Sequence, residues 1–417
     1  MKKILLITVL LIGLFPITSE AEEMVTVRLT NYIEDSSKLN VEFKGAYRSL
    51  DPTLAIKEGV NYQLTVDEDS LILQGENGQH TFKEPLIFIP EKYDEKHILY
   101  INGRPYLGAM EFRVEEDDTI RPVNQLPMED YLKGVVPFEV YPSWGLEALK
   151  AQALAARTYA TSHLNEEIDD TISYQVYGGY TWKEKTTKAV EETSGEVITY
   201  KGKLIEAFYS ASNGGVTENN AHVWGGKSKP YFPIKKDPYD PIEPWGFTLH
   251  RTQIDLKAID WDIPNWWEVL EEKDKKITES MKRYLKRKGY WGDLKILAIP
   301  NFTVSDKQLS SKRSVKGSIT IEFMERLFGG TVLFHQYHLD GVNLNRIRPL
   351  IGGTIFKSYL INSFQSKENS YTMKGKGFGH GVGMSQWGAQ AMAESGKSYK
   401  EIIQFYFPGT RISEFKK

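Results

Sequence analysis

Short runs in which apolar and polar residues alternate fill the chain from about Val25 to Glu115. Val25-Thr26-Val27-Arg28-Leu29 and Tyr62-Gln63-Leu64-Thr65-Val66 both alternate, and Ser70-Leu71-Ile72-Leu73 runs into Gly75-Glu76-Asn77-Gly78. A period of two punctuated by Gly and Asn predicts strands and hairpins. No catalytic constellation stands out in this stretch, which reads as an accessory β-rich domain over residues 22–118. The pattern changes near Pro122. Met128 to Lys133 predicts a short helical turn ending at Gly134. Val135 to Val140 is expected to be extended or turning, because Pro137 restricts Val136. Ser143 is placed to cap a long helix from about Trp144 to Leu164, rich in Ala, Leu, Gln and Arg. Leu146, Leu149, Ala153, Ala156 and Ala160 recur there at helical spacing.

The pattern is mixed from Ile172 to Trp224. Gly195 to Gly202 predicts a strand and turn, and Leu204 to Tyr209 a second strand that enters Ser210-Ala211-Ser212-Asn213-Gly214-Gly215-Val216-Thr217. Residues of about 240–340 form a charged elaboration. It carries one expected helix from Asn265 to Lys288, with Glu271 to Lys276 as its solvated face, and no chemistry of its own. Near the C-terminus Gly375, Gly377, Gly379, Gly381 and Gly383 alternate around Phe378 and His380. A helix from about Met384 to Glu394 follows. Ser398-Tyr399-Lys400-Glu401 is a capping box for a last helix. The expected fold is α+β: a mixed domain over 119–417 with a long Ala-rich helix and antiparallel strands, behind the N-terminal β domain.

Composition narrows the setting. Lys2 and Lys3 precede an apolar run of about 14 residues, short of the roughly 20 needed to span a bilayer. Small residues follow at Ser19 and Ala21, so residues 1–21 read as a cleaved secretory signal, with an uncleaved anchor as the alternative. The chain has no cysteine, which removes disulfides, thiol nucleophiles and thiolate metal sites. A net charge of -3 without a basic stripe argues against nucleic acid. Aromatic residues make up 12%, enough for a groove that stacks on sugar rings as well as for ordinary cores.

Three segments carry a recognisable combination. The first is Met128-Glu129-Asp130-Tyr131-Leu132-Lys133-Gly134-Val135-Val136-Pro137-Phe138-Glu139-Val140, running into Leu146 to Ala153 and Ala155 to Ala160. The second is Tyr209 to Glu218. The third is Gly377-Phe378-Gly379-His380-Gly381-Val382-Gly383-Met384-Ser385-Gln386-Trp387-Gly388-Ala389-Gln390, with Tyr406-Phe407-Pro408-Gly409-Thr410 beyond it. Together they resemble the stage II sporulation protein D and amidase-enhancer family, from roughly Arg121 to the C-terminus. The resemblance implies one of two roles. Sporulation members are lytic transglycosylases that cleave peptidoglycan glycan strands between N-acetylmuramic acid and N-acetylglucosamine and leave a 1,6-anhydro end. Amidase-enhancer members are named for stimulating a wall amidase, without catalysis of their own being required. A sporulation or germination scaffold is a third option. The family's catalytic acid is the glutamate of the Val-Val-Pro-x-Glu motif, here Glu139. Some sporulation members hold zinc through Cys near the Ser-x-x-Gly-Gly segment. This chain has Asn213 there, so zinc does not carry over.

The residues themselves are compatible with that role. Val135, Val136, Phe138, Val140, Tyr141 and Trp144 surround Glu139 in sequence and would desolvate it, favouring the neutral acid. The positive end of the helix expected near Trp144 opposes this. Glu129 and Asp130 are the nearest candidate second carboxylates, and a helix-capping role for Glu139 is the plain alternative. Arg157 reads as a sugar or carboxylate contact, or as a surface charge. Gln175 and Tyr177 read as saccharide contacts or strand-end packing. Ser210, Ser212 and Thr217 read as sugar contacts or turn chemistry. His380 and Gln386 read as cleft-lining or structural. His335 and His338 suggest no third ligand. No metal and no cofactor is expected. The expected partners are peptidoglycan glycan strands and a cell-wall amidase.

Overall fold

A computed structural model describes residues 23–33, 35–76, 78–83, 85–115, 118–305 and 308–415. The expected signal over 1–21 lies outside them. Among the described residues no helix is long and apolar enough to cross a membrane. Helices mix with mainly antiparallel sheets, giving an α+β architecture. The chain divides into two compact units. One comprises residues up to Glu139 with Ala160–Glu184, and the other Val140–Tyr159 with Lys185–Lys417.

The first unit holds two six-stranded sheets. One runs in the order Glu167–Asp169, Met24–Arg28, Ile120–Pro127, Ala109–Val114, Leu86–Pro90 and Tyr47–Ser49. The other runs Gly78–Phe82, Ser70–Gly75, Asn61–Asp67, Lys38–Lys44, Ile98–Ile101 and Arg104–Tyr106. Strict alternation in Lys38–Lys44 buries Leu39, Val41 and Phe43 on one face, as a period of two requires. Phe43 meets Phe88 of the other sheet edge-to-face at 4.9 Å, so the sheets share a core. The expected boundary at 118 does not fall between units. Met24–Arg28 pairs antiparallel with Ile120–Pro127 and parallel with Glu167–Asp169, which makes the β-rich region and the Glu139 segment one body.

The helix Met128–Glu139 follows directly from Ile120–Pro127 and runs through Pro137, correcting the expected end at Gly134. It buries Met128, Tyr131, Leu132, Val135 and Val136, a spacing that fills one helical face. Pro137 cannot donate to a carbonyl one turn back. The helix tolerates this in its final turn, where the one bond forgone is to the Lys133 carbonyl; separately, the Gly134 carbonyl accepts from Gly178 N at 2.9 Å.

In the second unit the helix Leu146–Thr161 begins after Gly145, not at Ser143. Its Ala151, Leu154 and Ala155 pack with Ile198, Ile402, Ile403, Tyr406 and Phe407. Helices Gln386–Glu394 and Tyr399–Tyr406 close this core, the second through the expected Ser398–Glu401 capping box. A second core joins sheet Asp293–Val304, Lys316–Arg326 and Val332–Asn343 to helices Lys275–Lys286 and Leu344–Ile351, through Met281, Ile296, Ile319, Phe323 and Ile347. The expected helix at Asn265 starts only at Lys275. The preceding turns are pinned at two points: Trp267 Nε1 donates to Asp293 of this sheet at 2.6 Å, and Asp274 accepts from His250 N, at the end of the separate strand Pro244–His250, at 2.6 Å. Glu272, expected on a solvated face, is buried and ion-paired with Lys282 at 2.7 Å. His335 and His338 lie three apart in a strand and so on opposite faces. His335 meets Glu325 at 2.9 Å and His338 meets Thr320 at 2.8 Å.

Candidate functional site

In the first unit Glu139 is the last residue of its helix and is half-buried. Its Oε1 accepts from Val176 N at 2.8 Å. The helix C-terminus disfavours negative charge, whereas an amide hydrogen bond favours it, so the carboxyl lies between two opposed local fields. Asp130 is held by Tyr93 OH at 2.6 Å and Lys133 Nζ at 3.2 Å.

Tyr32, from the β-rich region in which no catalytic constellation stands out, lies within the field of this carboxyl, and Arg104 packs on its ring. The Arg104 guanidinium lies 3.9 Å from the centre of the Tyr32 ring and donates to Gly178 O at 2.9 Å. Tyr32 meets Phe138 edge-to-face at 5.7 Å. Burial pushes the Tyr32 hydroxyl up. Arg104 pulls it back, and the charges of Asp170 and Glu139 add to the rise. Tyr32 is therefore a neutral hydrogen-bond donor within the field of Glu139. Its loop is fixed by Asp170, which is fully buried and accepts from Thr30 N at 2.7 Å and Asn31 N at 2.8 Å. Gly178 is confined by the same packing: a Cβ there would lie 1.9 Å from the Phe138 ring.

Gln175 and Tyr177 belong to this unit but point inward. Tyr131 OH donates to Gln175 Oε1 at 3.3 Å, and Tyr177 OH donates to Asn124 Oδ1 at 2.9 Å. Both side chains are buried, which is the packing alternative. Arg157, in the second unit, is 2% exposed, and its guanidinium reaches Val190 O at 3.0 Å and Thr193 Oγ1 at 3.3 Å. It closes the end of the helix Glu184–Glu191 and is not a surface charge.

The second unit brings Ser210, Ser212, Thr217, His380 and Gln386 together. Tyr209–Ser210 pairs parallel with Met384–Ser385, and bridges join Ser212 to Phe378 and Glu218 to Val382. Gly377, Gly379, Gly381 and Gly383 all have positive φ, the conformation glycine adopts freely. At Gly383 a Cβ would lie 2.1 Å from Phe208 O, so the close approach requires glycine. Buried carboxylates anchor the loop. Asp240 accepts from Ser212 Oγ at 2.8 Å and Ser385 Oγ at 2.6 Å. Asp237 accepts from Asn213 Nδ2 at 2.6 Å and Tyr406 OH at 2.8 Å. Thr217 Oγ1 donates to Pro233 O at 2.7 Å, and Ser210 Oγ accepts from Gly381 N at 3.2 Å. Ser212 and Thr217 are thus turn-forming hydroxyls. Gln386 opens its helix and is buried.

Arg313 completes this network, and it comes from the stretch read as an elaboration without chemistry. Its Nη2 donates to Asn213 O at 2.9 Å and Val216 O at 3.0 Å, and its Nη1 lies 3.8 Å from Glu218. Glu218 in turn accepts from Asn219 N at 2.7 Å, meets His222 Nδ1 at 2.8 Å and accepts from Ser311 Oγ. No motif in the sequence marks Arg313.

His380 is half-buried, with its ring 5.0 Å from Trp224 and its Nδ1 accepting from Val382 N at 3.0 Å. Burial, and then the Arg313 charge, push its pKa down to about 4. The unfolded chain therefore takes up a proton at higher pH than the folded one. The associated stability is complete above the ordinary histidine value and is lost as pH falls towards 4. Urea unfolding at pH 7.5 and pH 5 is expected to show a loss of about 1–3 kcal/mol from this residue. The loss should vanish in His380→Gln.

An α+β chain with an acid on a Pro-containing helix end and a glycine-punctuated loop braced by buried carboxylates belongs to a definable class. The family described as stage II sporulation protein matches residues 116–200. The amidase enhancer of Bacillus subtilis (strain 168) is 38% identical over 389 residues, covering 92% of this chain and 54% of that protein. This chain therefore spans about half the length of that relative. An uncharacterised protein of Brachyspira hyodysenteriae is 30% identical over 412 residues, covering 95% and 94%. Stage II sporulation protein D of Bacillus amyloliquefaciens is 30% identical over 318 residues, covering 70% and 76%. The chain belongs to the stage II sporulation protein D family.

Proposed function

We propose that this protein is exported to the cell wall and is a lytic transglycosylase that cleaves peptidoglycan glycan strands, with Glu139 as acid and then base. Glu139 protonates the oxygen bridging N-acetylmuramic acid C1 to N-acetylglucosamine, and the C1–O bond breaks. The muramic acid 6-hydroxyl attacks C1 and returns its proton to Glu139, so no water is consumed and a 1,6-anhydro ring closes. One carboxyl suffices, because the sugar supplies the nucleophile. The observation that carries this reading is the fixed position of Glu139, held by Val176 N in the field of the neutral Tyr32, on whose ring the Arg104 cation lies. Tyr32 and Arg104 are suited to hydrogen-bond hydroxyl or acetamido oxygens of the bound glycan.

The test uses pure protein and glycan strands stripped of stem peptides, with products analysed by mass. Chains ending in an anhydro sugar, one water lighter than hydrolysis products, are expected. A second reading rests on the relative named an amidase enhancer: the chain binds peptidoglycan and stimulates an amidase without cleaving glycan. Absence of anhydro ends, together with faster stem-peptide release by an added wall amidase, would replace the first reading with the second.

A further inference from the structure

Four of the nine tryptophans of the chain, Trp261, Trp266, Trp267 and Trp291, fall within one segment. In the second unit Trp261, Trp266 and Trp267 are joined by ring contacts, and Trp291 stands at one end of the sheet Asp293–Val304, Lys316–Arg326 and Val332–Asn343. Asp293 pairs with Arg326 across the first two strands, so Trp291 just before one strand and Phe328 just after the other stand at the same end. They wall an open slot of about 480 Å³ whose floor includes Gly292, Asp293 and Arg326. Trp291 is 78% exposed and Phe328 110% exposed. Such exposure of two large aromatic rings opposes the hydrophobic effect and marks a binding surface.

The surface continues beyond the slot. Arg326 lies 4.9 Å over the Trp267 ring, and Trp267 Nε1 donates to Asp293 Oδ2 at 2.6 Å. Trp266 meets Trp267 at 5.5 Å, and Trp261 meets Trp266 at 4.8 Å. Trp261 is half exposed, at 50%. Contacts through Arg326 and the buried Trp267 therefore lead from the slot to the partly exposed Trp266 and a second solvent-facing indole.

We infer that the Trp291–Phe328 slot, continued by Trp266 and Trp261, binds a neutral pyranose oligosaccharide at a site separate from Glu139. Flat apolar sugar faces stack on aromatic rings, while an amphipathic indole keeps a polar edge for water or hydroxyls. The polar groups present suit hydroxyls rather than a formal charge. Arg326 is paired with Glu268 at 2.7 Å and with Asp293 at 3.3 Å, so the three groups sum to one net negative charge. That balance repels anionic phospholipid, and the floor offers no free cation for a phosphate. Asp293 and Arg326 remain half-exposed or exposed at the floor, in reach of hydroxyls on a stacked ring. A row of rings, rather than one pocket, fits a linear polymer with successive sugars.

The choice of β-1,4-linked N-acetylglucosamine oligomers as probe rests on the glycan reading above. The full chain is titrated with the pentamer, following tryptophan fluorescence and isothermal heat. Saturable binding is expected, weakened about tenfold or more by Trp291→Ala and by Phe328→Ala, and unchanged by Leu50→Ala, an exposed apolar control in the other unit. Both test side chains are exposed, and thermal unfolding confirms that the variants fold. Glu139→Gln is titrated alongside. If it binds normally but releases no anhydro ends, the two sites are separate. If anhydro ends form but no binding responds to Trp291 or Phe328, the slot proposal fails and the catalytic reading stands. Binding to anionic vesicles, or a Trp291-dependent dimer, in place of sugar binding would also overturn it.

Discussion

Glu139→Gln is expected to lower the formation of anhydro-ended glycan by about 10²–10⁴-fold, the usual contribution of a positioned general acid–base group. The amide keeps the shape of the side chain and an oxygen that can accept from Val176 N, so the unfolding midpoint should stay close to that of the parent. Gln can neither deliver a proton to the bridging oxygen nor accept one from the attacking hydroxyl. Glu139→Asp keeps the carboxyl but withdraws it by about one methylene, and misplacement on the scale of 1 Å is expected to cost about 10²-fold. Initial rates of product formation by chromatography and mass, with urea unfolding in parallel, check both variants. Full activity in Glu139→Gln would end the transglycosylase reading. Under the enhancer reading the same variant should still stimulate an amidase.

Arg313→Met is expected to destabilise the protein by about 3–5 kcal/mol, the cost of breaking a buried ion pair from one side. Glu218 is fully buried and would lose its nearest cation, and the carbonyls of Asn213 and Val216 would lose their donor. Each buried polar group left unsatisfied costs about 1–3 kcal/mol. Lysine should rescue poorly, because a single ammonium cannot reproduce the guanidinium fork. Removing the pair together, as Arg313→Met with Glu218→Gln, should recover part of the loss. Urea unfolding midpoints of the three variants measure this. A loss below 1 kcal/mol would mean that the Gly-rich loop does not depend on Arg313.

The sequence shows clearly what depends on local pattern. Alternation in Tyr62–Val66 and the Ser398–Glu401 cap depend on neighbours a few residues away, and both appear as expected. Pro137 misled for the opposite reason. A proline reads locally as a break, but in the last turn of Met128–Glu139 it forgoes a single helical bond, and the buried face of Tyr131, Leu132, Val135 and Val136 holds the helix together. Tyr32 and Arg104 are not legible in the sequence because strand pairing, not spacing, brings them together near the end of the Glu139 helix. For Arg157, Gln175 and Tyr177 the residue type left two roles open. Only their buried partners favour the structural one. The 240–340 stretch looked inert because a lone arginine carries no motif, although Arg313 lies within hydrogen-bonding distance of the Ser210–Glu218 loop.

The strand Met24–Arg28 has consequences for how the molecule is made. It needs Ile120–Pro127 on one side and Glu167–Asp169 on the other, and the loop after it needs Asp170. A ribosome delivers this strand early and its last neighbour well over a hundred residues later. Until then one edge offers unpaired amides and carbonyls, the kind of edge that invites mispairing. Tyr32 acquires its place only when Asp170 arrives, so the half-made chain cannot present the Glu139 neighbourhood. The neighbourhood of Glu139 is thereby completed only once Glu167–Asp170 has been made.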